Sequence, residues 1–572
     1  MEPETKTCQS CHSAFVIEPD DFGFYERIKV PPPTWCPDCR LQRRICFRNE
    51  RSLYKGACAL CGKSTITFCS PDKELVVYCN DCWWSDGWEA IEYGREYDFS
   101  KTFFEQFVEL RRAVPHMALW QRHNSENVSY SNMTGESKNV YLGYSVVNCE
   151  DVYYSRAVDN SVHAYDCLNA ESLNMCYGDA YSGRCNNCHF IFRATDCVDS
   201  WFLFDCVNCQ DCVMSHNLRN KRYVIRNKQY TKEEYRKKVS EEFDFGSHSN
   251  LDKFKTEFRV MMENCLHRWA DVIKCANSDG DAISNAKNCH NCFEGWELEN
   301  VKNAMRVYYL KDSMDISGLI YSDLSYEYAT GGRESTGIKF STNSIGNLAN
   351  VEFTDFCNAS SNVFACVALR NKQYCILNKQ YTKEEYEALV PQIIEHMNTM
   401  PYIDKLGRVY KYGEFFPPEL SPFAYNETIA QEYFPLTKEQ ALVQGYKWRD
   451  PDTKQYTVTK QPQDLPDHIK DTPDSILEEV IGCGHGARCN HQCTSAFKLI
   501  PQELGFYKKI GLPIPRLCPN CRHYERLKLK NPYKLWHRKC MKPGCSNEFE
   551  TSYAPDRPEM VYCEQCYNAE VA

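Results

Sequence analysis

From residue 127 to about 225, segments of four to six residues rich in Val, Tyr, Phe and Cys alternate with polar corners of Asn, Asp, Ser or Gly. The corners fall at Asn127, Asn139, Asp151, Ser161, Asn174, Asn187, Asp199 and Asp211, in steps of 12, 12, 10, 13, 13, 12 and 12. A second array starts at Asn291 and continues through Asn303, Asp315, Glu327, Ile338, Asn350 and Asn362. The arrays end alike, LRNKRYVIRNKQYTKEEY at 218–235 and LRNKQYCILNKQYTKEEY at 369–386, offset by 151 residues. A short fixed period means that each unit buries its face only against its neighbours. Each unit reads as a short strand and a turn. The pattern predicts a mainly β chain: a duplicated β-solenoid with a repeat unit of about 12 residues. Bulky Tyr and Phe do not fit inside a small turn, so two units per turn, about 24 residues, are expected, stacked at about 4.8 Å. The recurring Asn and Asp are expected to bond the turn backbone or the equivalent residue above.

Helical signals punctuate the arrays. Thr231-Lys-Glu-Glu234 and Thr382-Lys-Glu-Glu385 are capping boxes, each followed by an apolar stripe, and short capping helices are expected to cover the open sheet ends. A further helix is expected over 250–268, and one over 437–444 inside a Pro-rich stretch. The resulting division is a double cysteine-rich module at 1–97, a helical connector at 98–123, the first array with its helix at 124–240, and a helical bridge at 241–275. The second array with its helix follows at 276–400, then a Pro/aromatic-rich connector at 401–480 and a second double cysteine-rich module at 481–572.

The ends carry a matched cysteine pattern. Cys8/Cys11, Cys36/Cys39, Cys58/Cys61 and Cys79/Cys82 stand near the start; Cys489/Cys493, Cys518/Cys521, Cys540/Cys545 and Cys563/Cys566 stand near the finish. Cys11 to Cys36 and Cys493 to Cys518 both span 25 positions, and Cys61 to Cys79 and Cys545 to Cys563 both span 18. Paired thiolates facing one another across a loop supply four soft ligands to a tetrahedral ion, with zinc the default, so about four structural zinc ions are expected. All four sets are filled by protein, which fits structural rather than catalytic metal. Cys489 breaks the spacing seen at the N-terminus, and Cys483, His485 and His491 stand nearby as alternative ligands.

The match extends beyond sulfur. Phe15 aligns with Phe497, Phe24-Tyr25 with Phe506-Tyr507, and Arg40 with Arg522. This C-x-x-C…F…FY…P…C-P-x-C-R pattern resembles an uncharacterised family of zinc-ribbon or treble-clef fingers, as in multi-zinc-ribbon proteins of candidate-phylum bacteria. The resemblance covers the first hundred or so and last ninety or so residues, implies metal binding, and brings no activity with it.

Composition narrows the choice of function. The 572 residues include 35 Cys and 37 Tyr and carry a net charge of −10. No basic leader opens the chain and no apolar run approaches a membrane span, so a cytoplasmic, non-membrane protein with metal thiolates rather than disulfides is expected. The acidity is uneven. Basic residues cluster between the cysteine pairs, among them Arg40, Arg43, Arg44 and Arg48 at one end and Arg522, Arg526, Lys528 and Lys530 at the other. Beside Tyr54, Tyr524, Tyr533 and Trp536 they suit phosphate contact and base stacking, and they point to RNA, DNA or a ribonucleoprotein as partner. The alternative is a basic face docked on the acidic body of the same chain, with a protein partner bound elsewhere.

Within the arrays, Cys185, Cys188, Cys209 and Cys212 are spaced to meet if one turn takes 24 residues, and could hold a further metal; the competing reading is a ladder of small inward residues. No phosphate-loop, dinucleotide, metalloprotease or nucleophile-elbow motif occurs, and no small-molecule substrate is evident. Asp151, Asp199 and Asp211 lie in register as a solenoid carbohydrate-active enzyme would need, but they sit where turn residues belong. The expectation is a non-enzymatic zinc-binding adaptor gripping nucleic acid, with a protein–protein scaffold as the rival and the carbohydrate enzyme third.

Overall fold

The structure is a computed structural model that describes residues 2–571 apart from 74, 123, 305–306, 330, 332–333 and 451–455. The connector boundary expected at 123 therefore lies outside the described residues.

The chain is mainly β, with two ten-stranded sheets and one four-stranded sheet. In the first array, strands Glu126–Ser129, Lys138–Tyr141, Glu150–Tyr153, Val162–Tyr165 and Asn174–Tyr177 pair in parallel, each residue with the one twelve further on: Val128 with Val140, Val140 with Val152, Val152 with Ala164. Between them, Asn132–Gly135, Tyr144–Val147, Arg156–Asp159 and Leu168–Glu171 form the four-stranded sheet in the same register. The chain thus alternates between two parallel sheets and advances one strand every twelve residues. The second ten-stranded sheet, Val272–Ile273 to Lys379–Gln380, follows the same parallel register, with a step of 11 where Val272 pairs Ile283 and of 13 where Ser322 pairs Ser335 and Thr336 pairs Ala349. None of the sheets closes into a barrel among the described residues.

Neighbouring strands are therefore 12 residues apart, not 24. The backbone explains how so short a step is possible. Every third residue from Asn127 to Arg226 has positive φ, so the chain bends after each pair of extended residues. The residue after each bend points inward, and these positions hold Val140, Val146, Cys149, Val152, Val158, Ala164, Cys167 and Ala170, a buried cluster of small side chains. The space inside is indeed too small for Tyr or Phe; those residues face outward. Tyr165 and Tyr177 lie against Phe506 and Tyr507 of the C-terminal module, and Phe340 and Phe353 against Tyr412 of the connector.

Inward serines and cysteines also satisfy the backbone. Ser137 Oγ donates to the Gly135 carbonyl at 2.7 Å and accepts from the Cys149 amide at 3.1 Å. Cys149 Sγ repeats both contacts one step on, with the Val147 carbonyl and the Ser161 amide. At the bends the amides form ladders: Asn127 Nδ2 donates to Asn139 Oδ1 at 2.7 Å, and Asn139 Nδ2 to Asp151 Oδ1 at 2.8 Å. Asn and Asp tolerate the left-handed region better than other non-glycine residues, and the ladder gives their side chains partners.

Each array turns back through a short antiparallel strand, Lys228–Gln229 or Lys379–Gln380, into a helix. The helices Lys232–Glu242 and Lys383–Thr399 carry the expected capping boxes at Thr231 and Thr382. His248–Asn264 and Lys438–Val443 are the other expected helices.

The ends cross over. Residues of the N-terminal module share one buried cluster with the second array and the 401–448 connector, whereas the first half of the C-terminal module shares its cluster with the first array; Tyr533 of its second half joins the former cluster.

Candidate metal centres

Each centre is built from a β-hairpin and a helix. Cys8 and Cys11 lie in the turn between Glu4–Thr7 and Ala14–Ile17; Cys36 caps the helix Pro37–Ile45 and Cys39 sits in its first turn. The hairpin Tyr54–Ala57/Ser64–Thr67 holds Cys58 and Cys61, and Cys79 caps Asn80–Trp84, which contains Cys82. At the other end, the hairpin Trp536–Lys539/Glu548–Thr551 presents Cys540 and Cys545 to Cys563 and Cys566 at the helix Glu564–Val571. A helix N-terminus favours negative charge, so half of each ligand set starts where a thiolate is stabilised.

The three sets Cys8/Cys11/Cys36/Cys39, Cys58/Cys61/Cys79/Cys82 and Cys540/Cys545/Cys563/Cys566 each bring four ligand atoms within 4.8 Å of one another. Sulfur pairs across the loops stand at 3.7 Å (Cys11–Cys36), 3.8 Å (Cys61–Cys79) and 3.9 Å (Cys545–Cys563). Burial raises the Cys58 thiol, but amide donors at Cys61 and Cys79 outweigh it and hold the group at about 6. Cys563 is held at about 6 by Asn547 and the amide of Cys566 against the same burial effect. Four convergent thiols suit zinc.

The remaining set needs a correction. Cys493, Cys518 and Cys521 converge with Cys483, not with Cys489. The Cys518 amide donates to Cys483 Sγ at 3.3 Å just as the Cys36 amide donates to Cys8 Sγ at 3.3 Å, so Cys483 is the counterpart of Cys8. Its hairpin, Ile481–Gly482 with Ala496–Phe497, has a turn long enough to displace the pattern. Cys489 instead lies with His485, His491 and Cys521 in a second cluster.

Cys185, Cys188, Cys209 and Cys212 form no metal cluster among the described residues. The 12-residue step places Cys197 between Cys185 and Cys209, and Ser200 between Cys188 and Cys212. Their thiols point inward and donate to the carbonyls of Gly183, Asn186, Val207 and Gln210.

The basic faces are turned inward. Arg40, Arg43, Arg44, Arg48, Arg522 and Arg526 are all buried. Arg40 Nε lies 2.7 Å and Arg44 Nη1 3.3 Å from the two oxygens of Asp315, while Arg43 bridges Glu327 (2.6 Å) and Glu414 (2.8 Å). The C-terminal module repeats the device: Arg522 and Arg526, one helical turn apart, take the two oxygens of Asp166 at 2.8 and 2.7 Å, and Arg522 also reaches Glu503 at 3.0 Å. Arg48 meets Glu50 at 2.6 Å, and Lys530 meets Glu294 at 2.8 Å. Burial would push the Glu50 carboxyl up, but Arg156 and Arg48 hold it down at about 2. Of the eight cations read as phosphate contacts, only Lys528 is exposed, and it pairs with Glu525. Tyr524 stacks on His491, and Tyr533 on Tyr433. The sequence reading missed the carboxylate partners; the available signal was the arginine pair spaced four apart in both modules.

Carboxylates and histidines at repeat positions of the arrays also have structural partners. Asp151 and Asp199 accept from Asn139 and Asn187, and Asp151 also meets His163 at 3.1 Å. His189 is buried against Trp201, and His290 pairs with Asp279 at 2.7 Å. No helix among the described residues is long and apolar enough to cross a membrane.

Together these features define a mainly β protein with several cysteine and histidine clusters able to hold metal ions. Compared with known proteins, the chain matches no family model and no curated sequence.

Proposed function

We propose that this chain is a non-enzymatic, zinc-dependent scaffold: a duplicated β-solenoid clamped at opposite arrays by zinc-ribbon modules, acting on a protein partner. The observation that carries this reading is the burial of the arginines on both modules against Asp166 and Asp315. Cations committed to buried carboxylates cannot release counterions from a nucleic acid, and that release supplies most of such binding. The twelve-residue register and the small inward side chains support the solenoid, and the hairpin–helix centres support the zinc ribbons.

Zinc here serves folding. A ribbon of about 40 residues buries too little apolar surface to fold alone. Structural zinc contributes an apparent ~10–16 kcal/mol in finger peptides. Ligand sets complete in protein atoms leave no position for substrate, and two of the three in-register carboxylates, Asp151 and Asp199, are occupied by side-chain ladders, which argues against the carbohydrate enzyme. A cytoplasmic setting agrees with 35 cysteines of which none is paired as a disulfide. A protein partner is favoured by exposed apolar side chains on the connector: Val443 is 78% and Ile403 60% exposed, and Leu406 and Leu442 are half exposed. Leu406 lies against Gly445, just past the end of the helix that carries Leu442 and Val443. Exposed apolar surface of this kind marks contact sites.

The test is affinity of the full chain for mixed RNA across a salt series. Absent or salt-insensitive binding is expected. Affinity falling steeply with log salt, with a slope of several phosphates, would restore the nucleic-acid reading.

A further inference from the structure

The C-terminal module differs from its N-terminal counterpart in one respect that the four-cysteine centre does not use. Two residues separate Cys8 from Cys11, whereas nine separate Cys483 from Cys493. The seven added residues bring in His485, Cys489 and His491, three metal-ligating side chains within seven positions. The fold does not leave them scattered on the surface. Their ligand atoms and Cys521 Sγ all lie within 4.8 Å of one another. Cys489 Sγ stands 3.6 Å from Cys521 Sγ, as close as the sulfurs of the other centres.

A second observation points the same way. The Nδ1 atoms of both His485 and His491 are enclosed and have no hydrogen-bond partner. Enclosed imidazole nitrogens without partners are costly unless something else satisfies them. The His491 ring is held by stacking on Tyr524, with centroids 5.0 Å apart and planes 8° apart, and the His485 ring lies 5.3 Å from it. Tyr524 is fixed in turn by the helix Pro519–Leu527, which also carries Cys521. The rings are thus oriented by the same element that supplies the shared sulfur.

We propose that the first half of the C-terminal module, residues 481–527, holds two metal ions joined through Cys521, beside the separate centre at Cys540–Cys566. One ion takes Cys483, Cys493, Cys518 and Cys521; the other takes His485, Cys489, His491 and Cys521, whose thiolate bridges the pair. A set of two imidazoles and two thiolates suits zinc, and a thiolate sulfur has lone pairs enough for two ions. Binding of the second ion releases the Cys489 proton to solvent and uses each imidazole neutral. Its effect is to fasten the inserted turn onto the first centre. The alternative is a single ion with Cys489 merely nearby.

The experiment uses the full chain loaded with zinc, freed of excess metal, and counted by elemental analysis. Five zinc ions per chain are expected, falling to four in H485A/H491A. The proposal rests on metal occupying the four-cysteine centres, and the count separates the two ideas: four ions in the wild type sinks only the second centre, whereas none removes the zinc reading altogether. Five ions retained in the double variant also overturns the proposal. Substitution with cadmium-113 tests the bridge without any variant. Of the three cadmium resonances expected from this module, the two from the centres sharing Cys521 should be coupled to one another, and three uncoupled resonances would show that Cys521 is not shared.

Discussion

Asp166 and Asp315 each take one arginine per oxygen from a single helix. Both carboxylates are on residues with positive φ, at bends of an array, where a short acidic side chain fits and projects outward. Removing Asp166 leaves the buried Arg526 without a carboxylate and Arg522 with Glu503 alone; removing Asp315 leaves the buried Arg44 without one and Arg40 only 3.9 Å from Glu327. Breaking a buried ion pair by deleting one partner costs about 3–5 kcal/mol, far more than a surface pair contributes. D166A is therefore expected to lower the urea midpoint for loss of the C-terminal module, and D315A that of the N-terminal module. K528A should change either by less than about 0.5 kcal/mol. Equal effects from all three variants would show that these contacts do not hold the modules in place.

At the scale of elements, the inward positions set the rules. Small residues three apart fill the interior, and serine and cysteine interchange there because each donates to the carbonyl two residues back and accepts an amide from the next step. C149S should cost less than about 1.5 kcal/mol by thermal unfolding, since the hydroxyl reproduces both contacts. V152F forces a ring into a space built for a methyl pair, and overpacking of that kind typically costs about 1–3 kcal/mol. If C149S proved the more damaging of the two, the interior would not be organised as described. The 12-residue period was legible because Asn and Asp mark one bend in each unit with an amide ladder, but that one unit makes a whole turn was not, and a turn of 24 was expected instead. The bends at every third residue were not, because Tyr130, Leu142, Tyr154 and Phe190 occupy the left-handed conformation with no compositional signature. That hidden period made the array look wide enough for Tyr and Phe, when those rings form its outer wall.

Across the whole molecule, the cysteine motif does two jobs. Its sulfurs form the centres, and its accompanying Phe-Tyr and Arg positions dock the modules: Phe24 and Tyr25 on Tyr326, Phe506 on Tyr165, and Tyr507 on Tyr177. The ligand sets were legible from spacing at three of the four all-cysteine centres. The fourth misled because seven inserted residues moved the first ligand back to Cys483 while leaving Cys489 where the pattern wanted a cysteine. That the arginine pair of each module would be consumed on the distant array had no local signal, since partners such as Arg40 and Asp315 are 275 residues apart.

The account turns on metal keeping the modules folded and docked. Its most direct test is hydrogen exchange on the full chain before and after zinc is stripped with a strong chelator, with the metal released counted in parallel. Exchange protection is expected to collapse first in the hairpins and helices around Cys8–Cys82 and Cys483–Cys566, while the amides paired between successive strands, such as those of Val140 and Val152, keep theirs longest. Purified protein without zinc, or terminal protection unchanged once zinc is gone, would contradict it.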